Sequence, residues 1–250
     1  MKKRNLKSTI LATAMVVVMG VGGIMAYFTD FEETRNNFTF GEIEIELSEP
    51  NWEPYNATHV VPNESFLKDP TVTNISTTNN AAFAFVEVEI PYAEIITADL
   101  NGNLNNEGYA TETELFFIDE DHFNANEWVE LKGEINGVTY PTINEDDETV
   151  THLFVYGKEV NGVVNCTRLE KGGRTTVFTE ITACNAIESQ GLEKLPTYID
   201  IRSYAIQAEN LNVDTEGENK PEGIIAAEDV WTILLNQGIT DDAPVAAEEQ

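Results

Sequence analysis

Three histidines, two cysteines and 44 acidic residues are the groups in this 250-residue sequence that could carry chemistry. His59, His122 and His152 stand in the contexts Thr-His-Val, Asp-His-Phe and Thr-His-Leu. None lies in an HExxH arrangement, which would place two imidazoles on one helical face for zinc with a general base between them. A GxSxG elbow, a P-loop and a GxGxxG turn are absent too. No zinc or nucleophile motif is recognisable, which weighs against an enzyme. Spacing alone still leaves open a dispersed metal site that gathers distant ligands. Carboxylates are so abundant that adjacency nominates no acid–base couple.

Calcium is the one candidate ion. Asp99, Asn101, Asn103, Asn105 and Glu107 put oxygen-bearing side chains at every second position around Gly102. The glycine is misplaced for an EF-hand and the terminal bidentate glutamate is missing, so a solvated acidic loop is the competing reading. The same holds for the acidic runs 119–121 and 145–148. Cys166 and Cys184 admit two readings: a single disulfide, as an exported chain allows, or two buried free thiols. A tight turn at Gly172–Gly173 would set Cys166 opposite a residue near Phe178, so a bridge would need a longer or bulged connection.

The elements that would position these groups are mostly strands. Phe38 to Leu47 alternates, with Ile43, Ile45 and Leu47 facing one way and Glu42, Glu44 and Glu46 the other, which is the pattern of a half-buried strand. The spacing predicts further strands at 71–75, 82–90, 115–118, 128–131, 137–142, 150–156, 160–169, 177–181 and 198–208. The run 82–90 is the strongest and is expected to stop at Pro91. Asn161–Gly162 and Gly172–Gly173 supply turn residues. In 198–208, Ile199, Ile201 and Tyr204 are core candidates. One helix is expected over 222–236, with Ile225, Val230, Trp231, Leu234 and Leu235 as its apolar stripe and Gly238 as its stop. The expected fold is all-β: an antiparallel jelly-roll-like β-sandwich over 41–239 with long loops and a C-terminal helix, followed by an acidic, disordered tail at 240–250.

The N-terminus reads as an export signal. Lys2, Lys3, Arg4 and Lys7 precede an apolar, glycine-punctuated run to Met25, and Ala26 offers a small residue for cleavage that would free Tyr27. Ile24 stands where a second small residue is usual. Residues 8–29 are also long and uncharged enough to serve as a retained anchor, which would make a monomeric membrane-anchored surface domain. The formal charge of −30 becomes −34 once the four bases of residues 1–26 are removed. Such a surface repels nucleic acid and anionic lipid, which argues against both as partners. Cleavage at Ala26 would leave no stable membrane anchor.

At the signal junction the chain resembles the TasA/camelysin family of exported bacterial proteins. The carrying residues are Gly22-Gly23-Ile24-Met25-Ala26-Tyr27-Phe28-Thr29-Asp30, then Asn37-Phe38-Thr39-Phe40-Gly41 and the alternating Ile43, Ile45 and Leu47. Val61-Pro62-Asn63-Glu64 before Lys68-Asp69 and Thr73-Asn74, and Tyr204-Ala205-Ile206-Gln207-Ala208, extend the likeness. The resemblance implies export through a dedicated signal peptidase, a jelly-roll body, and a place in extracellular biofilm-matrix fibres or on the cell surface. It implies homopolymers in which the freed segment of one subunit, here 27–40 with Tyr27, Phe28, Phe31, Phe38 and Phe40, completes the sheet of the next. Other matrix components are further expected partners. An aromatic terminus with little core of its own to join suits strand addition independently. Camelysin-like members are described as metallopeptidases, so a cell-surface metalloendopeptidase is the alternative function.

Overall fold

The computed structural model describes residues 43–52, 60–192, 198–209, 211 and 224–238. The expected signal with its Ala26–Tyr27 cleavage point, the donor segment 27–40 and the tail 240–250 lie outside these residues. In chain order the described residues form β1 (Ile45–Ser48), β2 (Ser65–Leu67), β3 (Thr71–Asn74), β4 (Ala82–Ile95), β5 (Thr111–Glu114), β6 (Phe116–Phe117), β7 (Trp128–Leu131) and β8 (Gly133–Ile135). They continue with β9 (Val138–Tyr140), β10 (Thr142–Asn144), β11 (Thr149–Val160), β12 (Val163–Cys166), β13 (Arg174–Thr176), β14 (Glu180–Ala183), β15 (Asp200–Gln207) and helix α1 (Ala227–Asn236).

The central sheet runs β10-β11-β4-β15, with β5, β7 and β12 added to it; β1-β3-β13, β2-β14-β6 and the hairpin β8-β9 form smaller sheets. Every strand pairing is antiparallel, so the all-β architecture with a C-terminal helix is as the sequence leads one to expect. Strand β4 is buried on both faces, which is why it reads as a nearly continuous apolar run. Ala84, Val86, Val88 and Ile90 point into one core with Val72, Trp128 and Phe178. Phe83 and Phe85 point into a second core with Leu153, Tyr204 and Trp231. The sheets β1-β3-β13 and β2-β14-β6 cover the first face, and α1 with the hairpin β8-β9 covers the second.

The helix docks through Ala227, Val230, Trp231 and Leu234, all buried, at the i, i+3, i+4, i+7 spacing of one apolar stripe. Glu228 and Asp229 in its first turn suit the positive end of the helix dipole. Gly238, at φ 69, closes it and donates its N–H to Leu235 O at 3.0 Å.

Several strand boundaries differ from expectation. Pro91 does not stop β4, which continues to Ile95. The partner β15 ends opposite Glu89, so the missing proline donor falls beyond that ladder. Pro91 O accepts from Leu115 N at 2.8 Å, and beyond it Tyr92–Ile95 pair with β5. Second, the expected strand 150–156 extends to Val160 as β11, and the expected strand 160–169 holds the tight turn at Asn161 (φ 54) and Gly162 (φ 80) and the shorter strand β12 that folds back on β11, a conformation suited to a two-residue hairpin. Third, the expected strand 177–181 is divided: β13 ends at Thr176 and β14 begins at Glu180. Val177 and Phe178 between them are fully buried core residues, so their hydrophobicity reflects burial rather than a ladder. The expected strand 137–142 likewise splits at Pro141 into β9 and β10.

The strand β15 occupies the end of the central sheet. All eight of its residues are in register with β4, from Asp200↔Glu89 to Gln207↔Ala82, and among the described residues its other side has no ladder.

Candidate functional site

The sheet assembles one cluster of ionised side chains against an apolar surface. His152 and Phe154 project from the same face of β11, and their rings stack with centroids 6.4 Å apart. Glu130 on β7 lies opposite Phe154, which brings its carboxylate diagonally to His152. Glu114 comes from β5, carried there by the extension of β4 past Pro91. His152 Nδ1 sits 2.7 Å from Glu130 Oε1 and Nε2 sits 3.0 Å from Glu114 Oε2. Lys132 Nζ takes the second Glu130 oxygen at 2.8 Å.

Two carboxylates on two ring nitrogens require both nitrogens to donate, so the ring is an imidazolium. Burial pulls the His152 pKa down, but hydrogen bonds and charge from Glu114 and Glu130 outweigh it and leave the group at about 9. Burial raises the Glu130 carboxyl; His152 and Lys132 more than reverse this and hold it below its ordinary value.

This triad lines part of an open cleft of roughly 950 Å³. The cleft floor is apolar, from Ile90, Ile118, Phe123 and Phe154. Leu100 and Phe117 line it while remaining 86% and 40% exposed. Asp99, Glu112 and Glu120 add carboxylates to its wall.

The proposed calcium ligands are brought together only in part. Asp99 Oδ1 accepts the backbone N–H groups of Asn101 and Asn103, each at 2.8 Å, and Oδ2 accepts Asn103 Nδ2 at 2.8 Å. These bonds, the Asn103 side chain foremost, lower the Asp99 pKa. Asn105 turns instead to Thr97 Oγ1 at 2.9 Å, and Glu107 is exposed at φ 56. The Asp99 oxygens thus close a turn.

Cys166 and Cys184 are both free and buried. They belong to different cores, Cys166 to the one under α1 and Cys184 to the one on the other face of the central sheet. A sheet lies between them, so the disulfide reading gives way to the free-thiol reading. Burial pushes both thiols above their ordinary pKa, as in unreactive structural cysteines.

The His152 clamp escaped sequence reasoning because its carboxylates lie 22 and 38 residues away. The alternation of β11 does place His152 on the face of Phe154, but nothing local reveals which strands flank it.

Of the other histidines, His122 lies 3.4 Å from Glu180 and 3.9 Å from Asp119, and His59 is outside the described residues. A metal ligand needs an imidazole nitrogen with a free lone pair, and both of His152's are committed as donors. No three His, Cys, Asp or Glu side chains among the described residues converge on a point that could hold an ion. The described donors therefore do not fit a catalytic zinc, which takes three protein ligands and an open position.

No helix among the described residues is long and apolar enough to cross a membrane. None of the curated proteins matches the chain. A family model described as camelysin metallo-endopeptidase matches residues 1–153, more than half of the sequence. The chain belongs to the camelysin family.

Proposed function

We propose that the chain is an exported structural subunit of extracellular biofilm-matrix fibres. In this reading a dedicated signal peptidase cuts after Ala26, and the freed segment 27–40 adds a strand to the next copy. The observation that carries it is the edge of β15: eight residues paired with β4 on one side and with nothing among the described residues on the other. Ile201, Tyr204 and Ile206 on this strand are at most 2% exposed, so β15 is built like an interior strand. Strands left at an edge are usually blunted by charge, proline or a bulge. The edge strand β1 lies against β15, and the described chain begins just before β1 at Ile43, only 4% exposed. The first described residues thus lie close to the bare edge.

The aromatic rings of the segment would contribute on the order of 1.5 to 3 kcal/mol each if fully buried, and the ladder about 0.5 to 1.5 kcal/mol per hydrogen bond. Ordering the segment opposes this. Repulsion between acidic subunits is screened within about 8 Å at physiological salt.

The test is sedimentation and electron microscopy of the protein beginning at Tyr27, beside the same protein lacking residues 27–37. Assembly is expected only of the first. A polymer of the same repeat from the second contradicts strand donation. The peptidase named in the family description would return as the better reading if the purified protein carried stoichiometric zinc and cleaved peptides in a chelator-sensitive way.

A further inference from the structure

We infer that the apolar cleft beside His152 is a docking site for a basic segment of a different protein, one in which lysine or arginine alternates with aliphatic or aromatic side chains. The inference is independent of the β15 edge.

The floor of the cleft is hydrocarbon, and Phe117 and Leu100 are left exposed along it at 40% and 86%. Its volume, roughly 950 Å³, is at the upper end for ligand pockets and has room for several side chains. The charges on its wall fall into two sets. Glu114 and Glu130 are neutralised by His152 and Lys132. Glu112 and Glu120 are exposed and have no cationic partner among the described residues, and Asp99 is held ionised by the amides of its own loop. An apolar trough walled by unspent carboxylates complements a ligand with apolar side chains for the floor and cations for the wall. Exposed phenylalanine faces add cation–π attraction for such a ligand.

Charge also favours a basic partner over a second copy of this chain as the occupant of this cleft. With 44 acids against 14 bases, four of them in residues 1–26, a copy would bring like charge to the wall. The same excess steers a basic partner toward the surface and makes its capture salt-dependent.

The experiment uses the protein beginning at Tyr27 and a fluorescein-labelled heptapeptide of alternating lysine and phenylalanine. Fluorescence anisotropy reports binding at low and moderate salt, and urea unfolding verifies that each variant folds. Expected are saturable binding that weakens with salt, and a loss of about tenfold in affinity, or about 1.4 kcal/mol, both in E112K/E120K and in F117S. The charge-neutral pair E112Q/E120Q gives an intermediate loss and stands in if the reversal variant does not fold. The remote pair E134K/E159K, with the same change in net charge, leaves affinity within about twofold. Equal weakening by the remote pair would reduce the effect to overall charge. Equal binding of a glutamate–phenylalanine peptide would reduce it to apolar adhesion. Either result, or no binding, overturns the site.

Discussion

Tyr204 donates its hydroxyl to Glu87 Oε2 at 2.6 Å, tying the edge strand β15 to the central strand β4 on the face that α1 covers. Arg202 reinforces the same seam through Glu89 at 3.0 Å. Burial pushes the Glu87 carboxyl up against the lowering by Tyr204, so the bond is made in a dry, aromatic setting. Trp231 closes it, with its ring 5.2 Å from Tyr204 and 5.1 Å from Phe85. The strand β15 is therefore fixed firmly along one side, and its ladder groups on the other are held ready in extended geometry.

The helix should be held chiefly by that indole. Trp231 is fully buried and donates Nε1–H to Tyr140 Oη at 3.0 Å. Trp231→Ala is expected to cost about 3 to 5 kcal/mol in urea unfolding. Tyr140→Phe removes that acceptor and the hydroxyl's bond to Glu87, and should cost about 1 to 3 kcal/mol, because the indole donor is left dry.

The His152 clamp predicts a loss of stability on the alkaline side. Free in an unfolded chain the imidazole titrates near 6.5, and in the fold at about 9. Because the folded value is the higher one, the stabilisation is complete below about pH 6.5, shrinks as pH rises, and is gone above about 9. By linkage it is worth on the order of 3 kcal/mol at most. The melting temperature should fall more steeply from pH 7 to 10 in the native protein than in His152→Gln; parallel profiles would contradict the clamp.

Two glycines of the β11–β12 hairpin should respond differently to alanine. A Cβ at Gly157 would run into the backbone carbonyl of Asn165, which cannot move aside as a side chain can. At Gly162 there is open space, and only the φ of +80° opposes a side chain. Gly157→Ala is expected to cost about 2 to 3 kcal/mol and Gly162→Ala about 1 kcal/mol, read from urea midpoints.

Both cysteines should titrate with a thiol reagent only after unfolding. Non-reducing intact mass should equal the reduced mass, and the folded protein should react slowly, because both sulfurs are buried and hold their protons. A mass two daltons lower would establish a bridge across the sheet.

Much of the fold was legible because burial writes itself into periodicity. The alternation of 198–208 places Ile201 and Tyr204 in the core, and the stripe over Val230, Trp231 and Leu234 marks the docked face of α1. Sequence failed where a residue's role depended on a distant partner. Pro91 looks like a terminus because its neighbour Glu148, whose carbonyl receives Tyr92 N–H at 2.8 Å, is far along the chain. Val177 and Phe178 look like a strand because full burial and β-pairing favour the same residues. The clamp at His152 and the cleft around it depend on the relative register of β5, β7 and β11, which no local pattern encodes. The oxygen-rich loop after Asp99 was legible as a turn, and its carboxylate serves that turn.

The central claim, that the bare side of β15 receives a neighbour's strand, is tested most directly by amide hydrogen exchange at residues 200–207. The protein beginning at Tyr27 is compared before and after assembly. Alternate amides of β15, those facing away from β4, should gain protection on assembly while those already bonded to β4 stay as they were. If fibres form and these outward amides exchange as fast as in the dispersed protein, the added strand is not there.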